Sequence, residues 1–365
     1  MKKIGLFGGS FDPVHTGHIQ IARIAMEQLH LDELQFIPTG HNPWKNDEGA
    51  SSIDRVKMLE LAVKNENKMV INDIELQMNS LKNYTIDTLK LLKKQHPNYQ
   101  YYYIMGMDQA TLFHQWKSAQ KISELVQLVA FQRGGYTPNH NNFQKYHFIV
   151  LDNDPLTISS TDVKNGHIEM LDKEVLSYIT NKGIYLETLI KPRMKEKRWK
   201  HTCSVAKLAK EIAEANHLSG KEAYIAGIFH DIAKEMDYEQ SLKIMQKYFP
   251  KFVDKPVPIW HQWVSRYVTE HEYLIHNETI LKAIEHHTTA DVHISSVGKC
   301  VYVADKLDPL RGYDSSQQIQ HCMENIHEGF KESLIDFYQF SKKENREIDN
   351  CFFEIYKHFV EKGEI

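Results

Sequence analysis

Residues 4–18 read IGLFGGSFDPVHTGH, and this stretch decides how the first half of the chain folds. The apolar run at its start predicts a short, buried parallel strand. The apolar residues that recur from Ile19 to Leu29 predict a helix after it. A strand that turns through Gly8 and Gly9 into a helix gathers free backbone N–H groups and the positive end of a helix dipole at one point. Such a point attracts phosphate.

Two histidines lie in this turn. His15 and His18 are three residues apart in the predicted first helical turn, so they share one face of the helix. Two imidazoles beside a phosphate site can donate hydrogen bonds to the oxygens of a phosphoryl group in transfer. A lone His-x-x-His pair is more often two surface histidines, but the whole string from Gly8 to His18 favours the phosphate site.

Composition bounds the class of protein. The chain has 365 residues, of which 42% are hydrophobic and 25% charged, as expected for a globular protein of two domains. Its net charge of −4 disfavours nucleic acid as a partner. We expect neither a leader nor a membrane span, since the chain opens on a strand pattern and its apolar runs stay below about 18 residues. We interpret its widely spaced cysteines as reduced thiols of a cytoplasmic protein: Cys203, Cys300, Cys322 and Cys351.

The first half alternates strand-like runs with helical patterns. Further strands are predicted at residues 34–38, 70–76, 101–106, 125–131 and 148–151. This alternation predicts an α/β domain with a Rossmann-like, doubly wound parallel sheet, in which ligands bind at the carboxyl ends of the strands. The Gly8–Gly9 turn, the loop that carries Lys45, and Gly106-x-Asp108 all follow predicted strands. We therefore expect them to converge.

A run of hydroxyl side chains lies near the end of this half. Ser159, Ser160 and Thr161 precede Lys164 at a predicted helix start. Their hydroxyls, the backbone N–H groups and the lysine charge suit a triphosphate. Taken alone, the segment would more simply be a helix cap.

Together these motifs resemble the nucleotidylyltransferase superfamily, and within it nicotinate-nucleotide adenylyltransferase. That enzyme joins ATP and nicotinate mononucleotide to give deamido-NAD and pyrophosphate. The resemblance covers about residues 1–187 and includes NYTIDT at residues 83–88 and Trp116. Phosphopantetheine adenylyltransferase shares the opening string and is the alternative, but it lacks these last two features.

The resemblance implies roles for particular residues. His15, His18 and Lys45 would contact the reacting phosphates, while Thr85 and Trp116 would face the nicotinate ring. Because no serine or cysteine is paired with a base, we expect direct in-line transfer, with magnesium on the leaving pyrophosphate. The family usually has His where this chain has Trp44 and Arg where it has Lys164. The other nucleotide-binding residues would be Gly8, Gly9, Ser10, Phe11, Gly106, Asp108, Ser159, Ser160, Thr161 and Lys164.

The second half follows a basic run at residues 191–200 and is dominated by helical periodicity. We predict an α/β domain at 1–188 and an all-α domain at 189–365. Histidines and aspartates lie on or beside its apolar helices: His201, His230, Asp231, His261, His287 and Asp305. An adjacent His–Asp pair can bridge two cations, and imidazole and carboxylate ligands without thiols suit iron, manganese or zinc. Each histidine alone would more often be a surface or core residue, but six such residues in this order predict a metal site.

This order resembles the HD phosphohydrolase superfamily. The closer resemblance is to the bacterial HD-domain symmetrical bis(5′-nucleosyl)-tetraphosphatase, which cuts diadenosine tetraphosphate into two ADP. This resemblance implies that the domain binds two divalent cations, with iron or manganese as the preferred metals. It also implies that hydrolysis depends on Asp231. One cation would be held by His201, His230, Asp231 and Asp305, the other by Asp231, His261 and His287. Lys234 and Arg311 would hold polyphosphate oxygens.

The sequence leaves alternatives for this half. It could be a non-catalytic nucleotide sensor, although a sensor has no need of the complete ligand set. It could process nucleic acid, as some HD proteins do, although the net charge disfavours this. The identity of the metals and a homo-oligomeric state stay open.

Overall fold

The computed structural model describes residues 1–40, 49–78, 83–345 and 348–363. The chain divides into two compact units, Met1–Val175 and Leu176–Ile365. The division falls within a helix, Lys173–Lys182, upstream of the boundary predicted between residues 188 and 189. The second part of this helix belongs to the second unit because its polar side chains bond there. Thr180 Oγ1 donates to the carbonyl of Tyr273 at 2.8 Å, within that unit.

The first unit is built on a parallel sheet, which confirms the predicted α/β class. Within the described residues, its strand order is β3-β2-β1-β4-β5-β6, and every neighbouring pair is parallel. The chain order reverses between β1 and β4, so the connections that follow these two strands run in opposite directions and leave a crevice outside their carboxyl ends. The strands are β1 (Lys3–Gly9), β2 (Glu33–Pro38), β3 (Met69–Ile71), β4 (Gln100–Gly106), β5 (Gln127–Phe131) and β6 (Ile149–Val150).

Helices connect these strands. Apolar residues such as Ile4 and Leu6 are fully buried, as expected when helices cover both faces of a sheet. The helices that begin in this unit are α1 (Thr16–Gln28), α2 (Ser52–Val63), α3 (Ile74–Gln77), α4 (Thr85–Gln95), α5 (Met107–Thr111), α6 (Ala119–Leu125), α7 (His140–Lys145), α8 (Ser160–Lys164) and α9 (Lys173–Lys182).

A buried arginine fixes the loops at the crevice. Arg55, on α2, is 7% exposed and donates to the carbonyls of Ser10 and Thr39, both at 2.8 Å. These carbonyls follow β1 and β2, so one side chain holds the carboxyl ends of two strands in place. Gly8 is required nearby, since a Cβ there would lie 2.6 Å from the hydroxyl oxygen of Tyr103.

The second unit is helical throughout its described residues, which confirms the predicted all-α class. Its centre is formed by α11, α12, α15 and α16, which pack against one another. No helix in the described part of the chain is both long and apolar enough to cross a bilayer. The unit's helices are α10 (Leu186–Ile190), α11 (Glu196–Ala215), α12 (Gly220–Phe229), α13 (Tyr238–Tyr248), α14 (His261–His271), α15 (Glu278–Glu285), α16 (Ser296–Leu307), α17 (Ser316–Glu324), α18 (Ile326–Lys343) and α19 (Asn350–Tyr356), followed by a π-helical turn, Lys357–Glu361.

Helix α12 is the innermost element of this unit. Every residue from Ile225 to Phe229 is buried, as expected for a helix that is apolar on all sides. Gly227 permits its close contact with α11, because a Cβ at this position would lie 2.6 Å from Cα of Ala206. The carboxyl end of α12 therefore delivers the next residues, His230 and Asp231, directly into the core.

We predict that Gly227→Ala strongly destabilises the second unit. The added methyl group would clash with backbone atoms of Ala206, which cannot move away without shifting α11. The expected loss is at least about 2 kcal/mol of unfolding free energy, measured by urea denaturation of the full chain.

Gly220→Ala is the matched control on the same helix. A Cβ at Gly220 would meet only the side chain of Glu214, which can rotate away. We expect this variant to be neutral or slightly stabilised, since alanine is the better helix former. Equal stability of the two variants would contradict the close contact between α11 and α12.

Candidate nucleotide site and candidate metal centre

Two stacked histidines lie where β1 turns into α1. The rings of His15 and His18 have centroids 3.7 Å apart. The backbone N–H of His15 donates to Nδ1 of His18 at 3.2 Å. Because this Nδ1 accepts a hydrogen bond, a neutral His18 ring carries its proton on Nε2. That N–H group is available as a donor to a phosphate oxygen.

Both imidazoles are held in the neutral form. Burial, together with the nearby charge of Arg133, lowers the pKa of His15 to about 4. Burial, the neighbouring His15 and Arg133 lower the pKa of His18 well below its ordinary value. Nδ1 of His15 is buried and has no hydrogen-bond partner among the described residues. The pair can therefore donate or accept hydrogen bonds at neutral pH without carrying charge.

Arg133 supplies the positive charge at this crevice, and the sequence analysis missed it. It follows β5, and its Nη1 donates to Oδ2 of Asp108 at 3.0 Å. Asp108, a predicted binding residue, lies in the first turn of α5 directly after β4. Its other oxygen, Oδ1, is buried without a partner in the described chain. The signal that identified Asp108, a polar residue just after a strand, also applies to Arg133.

The serine segment packs against the same loop. Ser159 caps α8, and its hydroxyl oxygen accepts a bond from the backbone N–H of Asp162. Ser160 Oγ donates to the carbonyl of Pro13 at 2.8 Å, and Lys164 Nζ lies 2.5 Å from Oδ2 of Asp12. The helix-cap interpretation thus accounts for the Ser159 hydroxyl, while the segment as a whole lies beside the histidine loop.

The other predicted residues fall around these groups. Thr85 bonds to the hydroxyl of Tyr103, and the ring of Trp116 lies 6.1 Å from the Tyr103 ring, nearly perpendicular to it. Phe11 is 1% exposed, so its ring belongs to the core and only its backbone can face a ligand. Lys45 and Trp44 lie outside the described residues. Of the remaining predicted residues, Gly8 and Gly9 end β1, Gly106 ends β4, and Ser10 directly follows β1.

Five of the six predicted metal ligands form two overlapping groups, which do not include Asp305. One contains His201, His230 and Asp231, the other Asp231, His261 and His287, and within each group the ligand atoms lie within 4.8 Å of one another. Asp231 is shared: its Oδ1 lies 3.3 Å from Nε2 of His261, and its Oδ2 lies 3.6 Å from Nε2 of His230. This is the arrangement expected of a carboxylate that bridges two cations.

Backbone carbonyls orient three of these imidazoles. Nδ1 of His230 lies 2.6 Å from the carbonyl oxygen of Gly227. Nδ1 of His261 lies 2.9 Å from the carbonyl oxygen of Pro258, and Nδ1 of His287 lies 2.7 Å from that of Ile284. A ring that donates through Nδ1 presents the lone pair of Nε2 on its other side, as metal-ligating histidines do.

The protonation of the group also fits a metal. Burial lowers the pKa of His230 to about 4, so the ring is neutral, and its Nε2 has no hydrogen-bond partner among the described residues. Burial raises the pKa of Asp231, but interactions with His230 and His287 outweigh it and hold that pKa well below its usual range. A neutral His230 offers a nitrogen lone pair and an ionised Asp231 offers negative charge, and both are donors that a divalent cation binds.

A second carboxylate, missed in the sequence analysis, orients His201. Oδ2 of Asp308 lies 2.6 Å from Nδ1 of His201, and Oδ1 of Asp308 accepts from Ser204 at 2.6 Å. Asp308 is fully buried. Nε2 of His201 lies 3.1 Å from Oδ1 of the predicted ligand Asp305. The signal was Asp308's position three residues after Asp305, which places it on the same side of the helix end.

Positive side chains surround the ligand groups. Lys234 Nζ lies 3.0 Å from Nε2 of His261, and Arg311 Nη2 donates to Oδ1 of Asp305 at 2.6 Å. Arg198 was not predicted, yet its Nη1 donates to Oδ2 of Asp231 at 2.6 Å. Lys306, also not predicted, lies 4.0 Å from Oδ2 of Asp305. Such a ring of cations suits a substrate with several phosphates.

Known families match both units. The family model described as Cytidylyltransferase-like matches residues 6–172, and the HD domain model matches residues 198–310. A Mycoplasma genitalium protein named probable nicotinate-nucleotide adenylyltransferase/Ap4A hydrolase is 30% identical over 90% of this chain and 96% of its own length. A Mycoplasma pneumoniae protein of the same name is 30% identical over 85% of this chain and 89% of its own. A Clostridium tetani protein named probable nicotinate-nucleotide adenylyltransferase is 37% identical over 51% of this chain and its full length.

Fold, sites and matches define a two-domain enzyme, in which a nucleotidyltransferase-type sheet domain precedes an HD-type hydrolase domain. The chain belongs to the family of the two Mycoplasma proteins, the nicotinate-nucleotide adenylyltransferase/Ap4A hydrolases. The resemblances drawn from sequence for both halves are therefore confirmed, and the HD domain implies binding of divalent metal. The roles of individual residues stay predictions.

We predict that His15 titrates at about pH 4 in the folded protein, against an ordinary value of 6.5. His15 of the unfolded chain takes up its proton at a higher pH than His15 of the folded chain. The free energy of unfolding therefore falls as the pH drops from about 6.5 towards 4. The measurement is an NMR titration of the labelled imidazoles, with the exposed His140 as the internal control. A His15 pKa near 6.5 would contradict burial of the neutral ring.

We predict that Asp308→Asn weakens metal binding. An asparagine keeps the size of the side chain but removes the charge that orients His201, and loss of such partners typically costs 10–100-fold in metal affinity. Isothermal titration of the metal-free full chain with manganese measures it. Asp314→Asn, a change to an exposed acid nearby, is the control and should bind like wild type.

Proposed function

We propose that the first domain transfers AMP from ATP to nicotinate mononucleotide, giving deamido-NAD and pyrophosphate. In the same proposal, the second domain hydrolyses diadenosine tetraphosphate to two ADP. The observation that carries the proposal is that each unit assembles its own polar site, in a chain similar to the bifunctional Mycoplasma proteins over most of its length. Small nucleotides are thus the proposed partners. The unpaired cysteines support a cytoplasmic location.

In the first domain the chemistry is direct displacement. A phosphate oxygen of the mononucleotide attacks the α-phosphorus of ATP, and the bond to the β-phosphate breaks to release pyrophosphate. His18 donates through Nε2 to an oxygen of the transferred group, and His15 lies beside it. Because both rings are neutral, they position the phosphates while Arg133, Lys164 and Lys45 supply charge. Magnesium bound with ATP would supply further charge on the pyrophosphate.

The nicotinate side of this site is assigned to the wall around Tyr103. Thr85 and Trp116 both contact this tyrosine, and the glycine at position 8 lies against its hydroxyl. Trp116 is half-buried, so part of its ring is available to a flat ligand. A pyridine ring that lies here would leave its phosphate near the histidines at the end of β1.

In the second domain the ligand groups would hold two divalent cations. His201, His230, Asp231 and Asp305 would bind one, and Asp231, His261 and His287 the other. Iron or manganese fits a set of imidazoles and carboxylates without thiols. The bound pair would supply an activated water and charge for the phosphoryl oxygens.

The residues around the cations determine where hydrolysis occurs. Lys234 and Arg311 lie beside different ligand groups, and Arg198 contacts the shared Asp231. A tetraphosphate that spans these side chains places its central bridge at the shared carboxylate. Cleavage of that bridge adds OH from water to one ADP and a proton to the other.

The test uses the full chain and two variants, His18→Ala and Asp231→Ala. Wild type is expected to form deamido-NAD from ATP and nicotinate mononucleotide, and ADP alone from diadenosine tetraphosphate with manganese or ferrous iron. His18→Ala should lose adenylyl transfer by about 10²–10³-fold, because one donor to the transferred group is removed. Asp231→Ala should lose hydrolysis, because neither ligand group stays complete. Chromatography of the products measures both activities.

Each variant is the control for the other, since it should keep the activity of the unaltered domain. AMP and ATP as products would show asymmetric cleavage and contradict the proposed position of the tetraphosphate. Absence of hydrolysis with both metals would favour a nucleotide sensor. Transfer of AMP to phosphopantetheine in place of nicotinate mononucleotide would overturn the assignment of the first domain.

A further inference from the structure

Two exposed tyrosines contact residues next to predicted metal ligands, and the function proposed above uses neither. Tyr238 is 51% exposed and Tyr313 is 49% exposed. Both are held by residues that directly neighbour the predicted metal ligands in the chain.

Tyr238 is fixed next to the group that contains His261. It begins α13, and its ring lies parallel to that of Trp260, at 15° and with centroids 5.8 Å apart. Trp260 is 4% exposed, and its Nε1 donates to the carbonyl of Lys255 at 2.8 Å, so it is itself immobile. Trp260 directly precedes His261. The stack therefore holds a flat ring in a fixed orientation on the residue that precedes a ligand of the second group.

Tyr313 is fixed next to the group that contains Asp305. Its hydroxyl donates to the carbonyl of Lys306, the residue that follows Asp305. The guanidinium of Arg311, two residues before Tyr313, donates to both the backbone carbonyl and the carboxylate of Asp305. The short 3₁₀ helix Pro309–Arg311 thus connects the ligand to the tyrosine. A second ring is held beside the first ligand group.

Positively charged side chains contact the ligand groups next to which the two tyrosines are held. Arg311 lies on the Tyr313 side, Lys234 lies four residues before Tyr238, and Arg198 contacts the shared Asp231. A ligand that complements this row has phosphates in the middle and a flat ring at each end. We propose that Tyr238 and Tyr313 each stack on one base of a dinucleoside polyphosphate. This inference rests on the proposed hydrolase function and names the residues that give it specificity.

The two platforms explain how the site selects among phosphate compounds. Stacking of a base on an aromatic side chain contributes roughly 5- to 150-fold in affinity per base. A dinucleoside polyphosphate occupies both platforms, a mononucleotide such as ATP only one, and an inorganic polyphosphate neither. Stacking of the second base thus raises the affinity for the dinucleotide above that for a mononucleotide, without any further contact to a phosphate.

The test compares Tyr238→Ala and Tyr313→Ala in the manganese-loaded full chain. Each variant should raise the KM for diadenosine tetraphosphate roughly 10-fold or more and leave kcat within about threefold, because the bases do not react. Inhibition by pyrophosphate, which has no base, should be unchanged. Tyr238→Phe keeps the stacking face and should restore the wild-type KM.

Tyr248→Ala is the matched control. Tyr248 ends the helix that Tyr238 begins, is 39% exposed, and contacts the ring of Tyr267 instead of the tryptophan. It should behave like wild type. A KM within twofold of wild type in both test variants would overturn the proposal, as would a parallel weakening of pyrophosphate inhibition.

A binding measurement separates this inference from the hydrolase proposal. If wild type fails to cleave diadenosine tetraphosphate, the hydrolase proposal fails. The stacking is still tested by separate titrations of the protein with ADP and with pyrophosphate. Weaker binding of ADP in Tyr238→Ala, with pyrophosphate binding unchanged, would support the platform. Equal binding of ADP by wild type and variant would refute it.

Discussion

Burial of neutral imidazoles is the constraint on which both sites depend. In the first unit, burial and Arg133 keep His15 and His18 uncharged, so they can only exchange hydrogen bonds with a phosphate. In the second unit, burial keeps His230 and His261 uncharged, so their nitrogen lone pairs are available to a cation. The same physical effect, desolvation of a ring, thus serves two kinds of chemistry, and the neighbours decide which.

In the second unit, helix α12 makes this burial possible. It is apolar on every side and packs through Gly227 against α11, so its carboxyl end lies deep in the unit. A helix end has carbonyls without intrahelical partners. The carbonyl of Gly227 accepts from His230, and the carbonyl of Ile284 accepts from His287 at the end of α15. Helix ends therefore satisfy their own carbonyls and orient metal-binding rings in one step.

The sequence predicted the parts of the sites that are local in the chain. The strand, turn and helix of residues 4–18, the ligand pair His230–Asp231 and the two fold classes all follow from short-range patterns. What it missed depends on distant pairings. Arg133 meets Asp108 only because β4 and β5 are neighbours, and Asp308 meets His201 because α16 packs on α11. The position of each residue in the chain marks it as a candidate, but no local pattern shows which distant residue it will meet.

Charge balance connects the metal centre to its surroundings. The ligand set combines four imidazoles with two carboxylates, Asp231 and Asp305, whose pKa values are both held well below the usual range. Two divalent cations would exceed the charge of two carboxylates, so a loaded centre is positive, and Arg198 and Arg311 add to it. That excess suits a chain of phosphates but does not distinguish one polyphosphate from another. Discrimination must therefore come from groups other than these charges, and the aromatic rings of Tyr238 and Tyr313 are the groups that we propose for it.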